Sequence, residues 1–357
     1  MRNGSKAGQR FIRLATVLVT VLAGVAGGGS GQWNTARAAG KPVKIRMATL
    51  APKGSSFHQS LQRMGEKWRQ APEGGATLTI YTDGTMGSEF DVIRRMRIGQ
   101  LQAAMLTVVG LADIEESVHA LEYMPMMFRS LEEMEYVLES LRPTLESKMM
   151  DKGFVTLFWG DAGWIRWFTS QPVKYPEDLK TMKTFVWAGD TQQTELMLAA
   201  GYHPVPLEAT DILTGLQTGM IDVVSTTPTY ALAGQFYRQA KYMLEVNWAP
   251  LLGATVVTKK VWDNLSAGDR EFMLEAAAEA GREIRAQSRL EAEQSVAAMK
   301  ERGLVVQEVG PEVQASWEAA AREFYPKIRG AMVPAEVFDE VQQHIREYRG
   351  AERKGAQ

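Results

Sequence analysis

Hydrophobic and polar positions along this chain follow two different periods. Short β-rich runs predict strands over 43–49, 77–82, 103–108 and 154–159. Between them, amphipathic stretches predict helices over 56–69, 88–98 and 131–152, the last ending at Gly153. In the second of these, Phe90, Ile93, Met96 and Arg97 fall at helical spacing after the turn Asp83-Gly84-Thr85-Met86-Gly87. Farther on, 166–169, 183–187 and 221–226 predict strands of a second sheet, separated by helices over 191–200 and 210–218. This alternation predicts an α/β architecture.

One element is unusual. From Ser266 to Arg302 the chain is almost free of helix breakers. Ser266 fits an N-cap, Asp269 the acidic place of a capping box, and Gly303 a stop. At about 1.5 Å per residue, an unbroken helix of that length reaches roughly 55 Å, more than one domain's width. The alternative is two helices broken near Gly281. The tail after Gly350 is expected to fray.

The amino end changes where the protein is expected to work. Residues 1–38 read as a cleaved export signal: Arg2, Lys6, Arg10 and Arg13 are basic, Leu14 to Val25 is apolar, and Ala36-Arg37-Ala38 fits a cleavage site. That apolar run is shorter than the roughly 18 residues a membrane-spanning helix needs. Losing the segment removes five basic residues and takes the formal charge from −2 to −7. The remainder is mildly acidic, without a basic footprint for nucleic acid or anionic lipid. Its length of about 319 residues predicts two domains. The chain has no cysteine, so disulfides, thiolate metal sites, cysteine nucleophiles and a lipid-anchored cysteine are excluded.

Candidate catalytic chemistry is thin. His58, His119, His203 and His344 show no metal-ligand spacing, and His203 reads as a solvated or packing residue. Glu115, Glu116, Glu132 and Glu133 read as solvated helix faces, and Glu89 as a helix opener more than a residue of a cleft edge. Ser55, Ser56 and Ser225 have no nearby base, and no phosphate-cradling G-x-x-x-x-G-K-[ST] loop is present. Neither an enzyme, a cofactor nor a metal is expected.

Several segments carry a more specific signal. They are Met47-Ala-Thr-Leu-Ala-Pro-Lys-Gly-Ser-Ser-Phe-His58, Asp83 to Glu89 running on to Ile98-Gly99, and Tyr123-Met-Pro-Met-Met-Phe128. Farther along come Pro176-Glu-Asp-Leu-Lys-Thr-Met-Lys-Thr-Phe-Val-Trp187, Gly201-Tyr-His-Pro-Val-Pro-Leu207 with Leu216 to Asp222, and Val261-Trp-Asp-Asn-Leu-Ser266. In this order, from about Lys44 to Gly330, the chain resembles the solute-binding receptors (P subunit, dicarboxylate-receptor type) of tripartite ATP-independent periplasmic (TRAP) transporters. The resemblance implies a two-lobed periplasmic binding protein fold, a ligand cleft between lobes, and a long helix spanning both. Lobe I is expected at 39–163 plus about 252–290, and lobe II at 164–251 plus about 291–330. A C-terminal helix and tail take 331–357. The implied partners are a small-molecule ligand and the TRAP membrane subunits.

The same resemblance points to a departure. The family's carboxylate-clamping Arg, in the segment ending at Trp187, is matched here by Phe185. Arg166 matches a second family Arg that faces ligand, and the Asn of another strand falls at Thr226 or Thr227. The candidate ligand-binding residues are therefore Arg166, Phe185, Trp187, Thr226, Thr227, Trp164 and Trp248, with Met124, Met126 and Met127 on a segment near the cleft in relatives. A hydrogen bond to a charged group contributes about 1.5–3 kcal/mol, so loss of an Arg fork leaves a buried carboxylate poorly compensated. The expected ligand is apolar or uncommon. The alternatives are an organic acid held by Arg166, Lys183 or water, and a ligand sensor for a membrane signalling protein. Some relatives lacking the Arg work with a periplasmic helical-repeat partner. The charged face at Glu283, Arg285, Arg289 and Glu293 reads as solvated, which favours a monomer.

Overall fold

The computed structural model describes residues 41–355; the expected export signal lies outside the described residues. Strands β1 (Val43–Thr49), β2 (Ala76–Tyr81), β3 (Ala103–Thr107) and β4 (Phe154–Trp164) come first, the last running five residues beyond its predicted end. They are followed by β5 (Arg166–Thr169), β6 (Lys183–Trp187), β7 (His203–Leu207), β8 (Val223–Thr226), β9 (Tyr242–Leu244), β10 (Pro250–Thr258) and β11 (Val305–Gln307). One sheet has the order β2-β1-β3-β10-β4, the other β11-β9-β5-β8-β6-β7. In the first, β1, β2 and β3 are parallel, and β10 runs antiparallel to both β3 and β4.

Each sheet buries both faces, so its strands are apolar on both sides. Ile45, Met47, Ala103 and Val257 join one cluster on the first sheet, while Ala48, Ala104, Leu106 and Val256 join another. In the second sheet Phe168, Phe185, Val224 and Met243 share one cluster, and Trp167, Val223 and Leu244 the other. The chain passes between sheets at Ile165 and again near Trp248. The two passages are tied by Ile165 N–H donating to Ala249 O at 2.8 Å and Trp248 N–H to Ile165 O at 3.2 Å.

Four helices begin on serines whose hydroxyls accept a backbone N–H three residues on: Ser55, Ser88, Ser130 and Ser266. The last opens one continuous helix, Ala267–Lys300, of 34 residues and about 50 Å. It packs on β4 and helix Ser56–Trp68 beside the first sheet, and on helix Pro228–Ala233 beside the second. No break occurs at Gly281. That glycine is required by close approach, since a Cβ there would stand 2.9 Å from the Phe158 ring.

Several local expectations are corrected by long-range partners. Asp269 does not complete a capping box; its carboxylate accepts Glu73 N–H at 2.8 Å and Gly75 N–H at 3.0 Å. Glu283, Arg285 and Arg289 are not a plain solvated face. Arg63 pairs with Glu283 at 2.7 Å, Arg285 with Glu135 at 2.7 Å, and Arg289 with Glu132 at 3.2 Å. Glu133 is 1% exposed and held by Arg349 at 2.6 Å, and buried Glu115 meets Lys152 at 2.8 Å. The C-terminal helix Ala335–Gly355 continues through Gly350 instead of fraying there. Among the described residues no helix is long and apolar enough to cross a membrane.

Gly281→Ala should lower the free energy of unfolding by about 1–3 kcal/mol, because Phe158 must move. Urea denaturation checks this. A gain of about 1 kcal/mol, the ordinary result in an open helix, would show that the packing is not restrictive.

Candidate ligand-binding cleft

A cavity of ≈ 270 Å³ opens where the two sheets meet. Strand ends build it. Thr49 to Pro52 follow β1, Met105 to Thr107 close β3, and Thr184 to Trp187 end β6, so the carboxyl ends of parallel strands face the space, as in other open α/β sheets. Residues Leu251 to Ala254 of β10 and Phe158, Gly160, Asp161 and Ala162 of β4 form a floor shared by both halves.

Aromatic rings dominate one side. Trp167, Trp248 and Trp317 pack mutually with centroids 5.2–5.9 Å apart, and Phe185 meets Trp187 edge-on at 5.2 Å; all five border the cavity. Of the residues singled out from sequence, Phe185, Trp187, Thr226, Thr227 and Trp248 are brought to this space. Arg166 and Trp164 are not. Arg166 does not border the cavity although Ile165, Trp167 and its register partner Thr226 do; burial lowers its pKa, opposed by the charge of Glu245. Trp164 packs against the core of the first sheet. Met124 and Met127 also go to that core, and Met126 packs in the cluster of the second sheet; of that segment Tyr123 and Pro125 reach the cavity.

The opposite side is acidic. Glu89, read from sequence as a helix opener, is buried at the cavity and accepts Thr107 N–H at 2.8 Å, Thr107 O–H at 2.6 Å and Gly110 N–H at 2.9 Å. Burial raises its pKa in spite of those bonds. Among the described residues Glu122 receives a single hydrogen bond, from Leu252 N–H at 3.3 Å. Burial pushes it up to about 8, against that bond, and the charges of Glu89 and Asp190 add to the rise. The hydroxyl of buried Tyr123 donates to Asp190, which caps helix Thr191–Ala199. Asp161, 2% exposed, accepts Gly163 N–H at 3.2 Å, while its other oxygen Oδ2 has no hydrogen-bond donor. The nearest cation to that oxygen is Arg289, at 3.7 Å. Burial raises the Asp161 pKa, and Arg289 opposes the rise.

Among the described residues no Lys, Arg or His borders the cavity. Trp167 Nε1 and Thr184 Oγ1, both in buried residues lining it, also have no hydrogen-bond partner among the described residues. The space can therefore hold a body that is largely apolar, with polar contacts at few points. Sequence reading did not anticipate Glu122 or Asp161 here, because elements far apart in the chain bring them together. The available signal was a carboxylate inside each of two apolar runs, Leu121 to Tyr123 and Phe158 to Ala162.

Glu122 fixes a pH dependence. Its folded pKa lies above the 4.5 of an ordinary glutamate, so the native chain retains a proton that the unfolded chain releases. Its contribution to stability falls as pH rises from about 4.5 to about 8 and is level above that. Glu122→Gln should thus gain thermal stability relative to wild type between about pH 5 and about pH 9. A difference in melting temperature that stays constant over that range would contradict the assignment.

Comparison with known proteins agrees with this architecture. The bacterial extracellular solute-binding proteins of family 7 (DctP) match over residues 47–330. The C4-dicarboxylate-binding periplasmic protein DctP of Rhodobacter capsulatus is 22% identical over 284 residues, covering 78% of this chain and 84% of its own. The 2,3-diketo-L-gulonate-binding periplasmic protein of Escherichia coli is 24% identical over 270 residues, 73% and 80% of the two chains. A TRAP periplasmic solute-binding protein from Pseudomonas putida, solved with D-glucuronate, has a TM-score of 0.75 at 26% identity, covering 85% of this chain and 96% of its own. One from Shewanella oneidensis, solved with succinate, gives 0.79 at 19% identity over 85% and 99%. Two sheets, a cavity between them and a helix along both, with a family match over most of the chain, make this protein a member of the DctP family of TRAP solute-binding proteins, and so a binding protein, not an enzyme.

Proposed function

We propose that this protein is an exported receptor that captures an apolar or weakly polar small molecule between its lobes and delivers it to TRAP membrane subunits. The observation that carries the ligand class is the cavity lining: a wall of rings, three carboxyl groups, and no basic side chain. The solved relatives from P. putida and S. oneidensis hold organic acids, which supports the transport role. In this cleft a small carboxylate would meet Glu89, Glu122 and Asp161 with no cation on the lining. Each Å² of apolar ligand surface removed from water contributes about 25 cal/mol, and this becomes the main attraction.

The reading that keeps an organic acid through Arg166 or Lys183 is weaker. Arg166 lies off the cavity near Glu245, and exposed Lys183 donates to Gly219 O. Lobe limits of 39–163 plus 252–290 and 164–251 plus 291–330 belong to the same proposal and are supported by sheet membership. So does a monomer: Arg285 and Arg289 on the long helix are engaged within the chain. Cleavage of the export signal near residue 38 completes it.

Titration calorimetry with succinate and D-glucuronate tests the ligand class. Wild type should bind neither in the micromolar range, and Phe185→Arg should improve carboxylate affinity by about tenfold or more, as a charged hydrogen bond would. Micromolar binding of either acid by wild type would overturn the proposal.

A further inference from the structure

The cavity is lined from both faces of the second sheet. Phe185 belongs to the apolar cluster on one face, and Trp167, Leu179 and Trp317 to the cluster on the other; all four border the space. The cavity therefore rounds the end of β6 and continues under the sheet. Thr184, three residues before the last residue of β6, also lines it, about 10 Å in at roughly 3.3 Å per residue. Helix Pro311–Ile328 supplies a wall: Trp317, Ala320, Phe324 and Ile328 recur at three- and four-residue spacing, and all border the cavity. The first and last of these lie about 16 Å apart along the axis at 1.5 Å per residue. A volume of ≈ 270 Å³ drawn out over that length is long and narrow.

Helix Thr191–Ala199 borders the same extension and is itself poorly packed. None of its residues is buried, although Gln193, Leu196 and Met197 line the cavity. Met197 and Ala320 both border the space, and neither joins any of the four apolar clusters. The helix is held at its start, where Asp190 accepts the Tyr123 hydroxyl and Gln192 Nε2 donates to Ala331 O at 3.3 Å. Tyr202, just beyond its end, meets the Phe324 ring at 6.4 Å and lines the cavity as well. Glycines at positive φ flank it, Gly189 at 94° and Gly201 at 83°. The apolar side of a helix ordinarily meets a protein core. Here it meets the cavity, and what enters the cavity completes its packing.

We propose that this extension is a subsite for an unbranched apolar chain, which lies along Trp317, Ala320 and Phe324 and against helix Thr191–Ala199. The inference rests on the reading of the cleft as apolar, and adds the ligand's shape: elongated, not compact. A compact ring would fill the space between the sheets and leave Met197 and Ala320 uncovered. A chain covers both. Each methylene taken out of water along the way strengthens binding by about fourfold. Only a ligand long enough to reach helix Thr191–Ala199 gives Leu196 and Met197 the partner they lack, so chain length and the order of that helix are coupled.

A series of uncharged primary alcohols, 1-butanol, 1-hexanol, 1-octanol and 1-decanol, tests this on the exported chain. Binding is followed by calorimetry and by fluorescence of the cleft tryptophans. Affinity should rise by about fourfold per methylene through 1-decanol. Ala320→Phe, which fills the extension, should end the rise at a shorter chain and weaken 1-decanol by about tenfold or more. Amide hydrogen exchange over helix Thr191–Ala199 should slow severalfold with 1-decanol and not with 1-butanol at equal occupancy. Exchange and the wild-type series decide the matter even where the variant does not fold. A rise that stops at 1-hexanol, a rise that Ala320→Phe leaves as long, or exchange that 1-decanol does not slow would overturn the chain subsite and leave the apolar cleft standing. Failure of every alcohol to bind would overturn both.

Discussion

Strand β10 is the constraint on which this molecule depends. It lies between β3 and β4, antiparallel to both, at the place where the chain returns from the second sheet. The fit leaves no slack: a Cβ on Gly253 would stand 2.3 Å from the Leu106 carbonyl oxygen. Its two register shifts against β4, at Pro250/Leu252 and Thr255/Val256, let the strand follow the bend toward the crossing. Behind it β4 packs on the long helix, where Ser288 O–H donates to Asp161 O at 2.9 Å. One strand therefore sets the crossing between sheets, the cavity floor and the positions of the cleft acids.

The electrostatics of the cleft follow from that placement. Glu122 accepts from a backbone N–H, whereas Glu89 also has the Thr107 hydroxyl and Asp161 lies 3.7 Å from Arg289. Glu89 is well supplied from Thr107 and Gly110, and Glu122 is not. Burial raises the Glu122 pKa to about 8, and the charges of Glu89 and Asp190 add to the rise. Opposite, the Phe185–Trp187 pair and the three packed tryptophans offer area without charge. These two sides are what the proposed preference for an apolar ligand rests on.

Much of the fold was legible in the sequence because its determinants are local. Strands 43–49, 166–169 and 183–187 show their pattern within a few residues, and the capping serines declare helix starts three residues ahead. The long helix was legible for the same reason. What could not be read were partnerships across long separations. Gly281 looks like a break until Phe158 is found against it, and Glu133 looks solvated until Arg349 reaches it. The site divides similarly. Alignment to the family drew attention to Phe185, and the structure sets that residue on the cavity. Arg166 came from the same alignment but does not border the cavity. Glu122 and Asp161 needed the β10 register, which no local pattern contains.

The central claim is that this cleft selects against small organic anions. Mass spectrometry of the molecule carried through purification, from protein exported with its own signal, tests it most directly. A bound apolar molecule with a neutral or cationic head agrees with the account. A bound small organic acid would contradict it, and would require a cation to reach a cavity that none now borders.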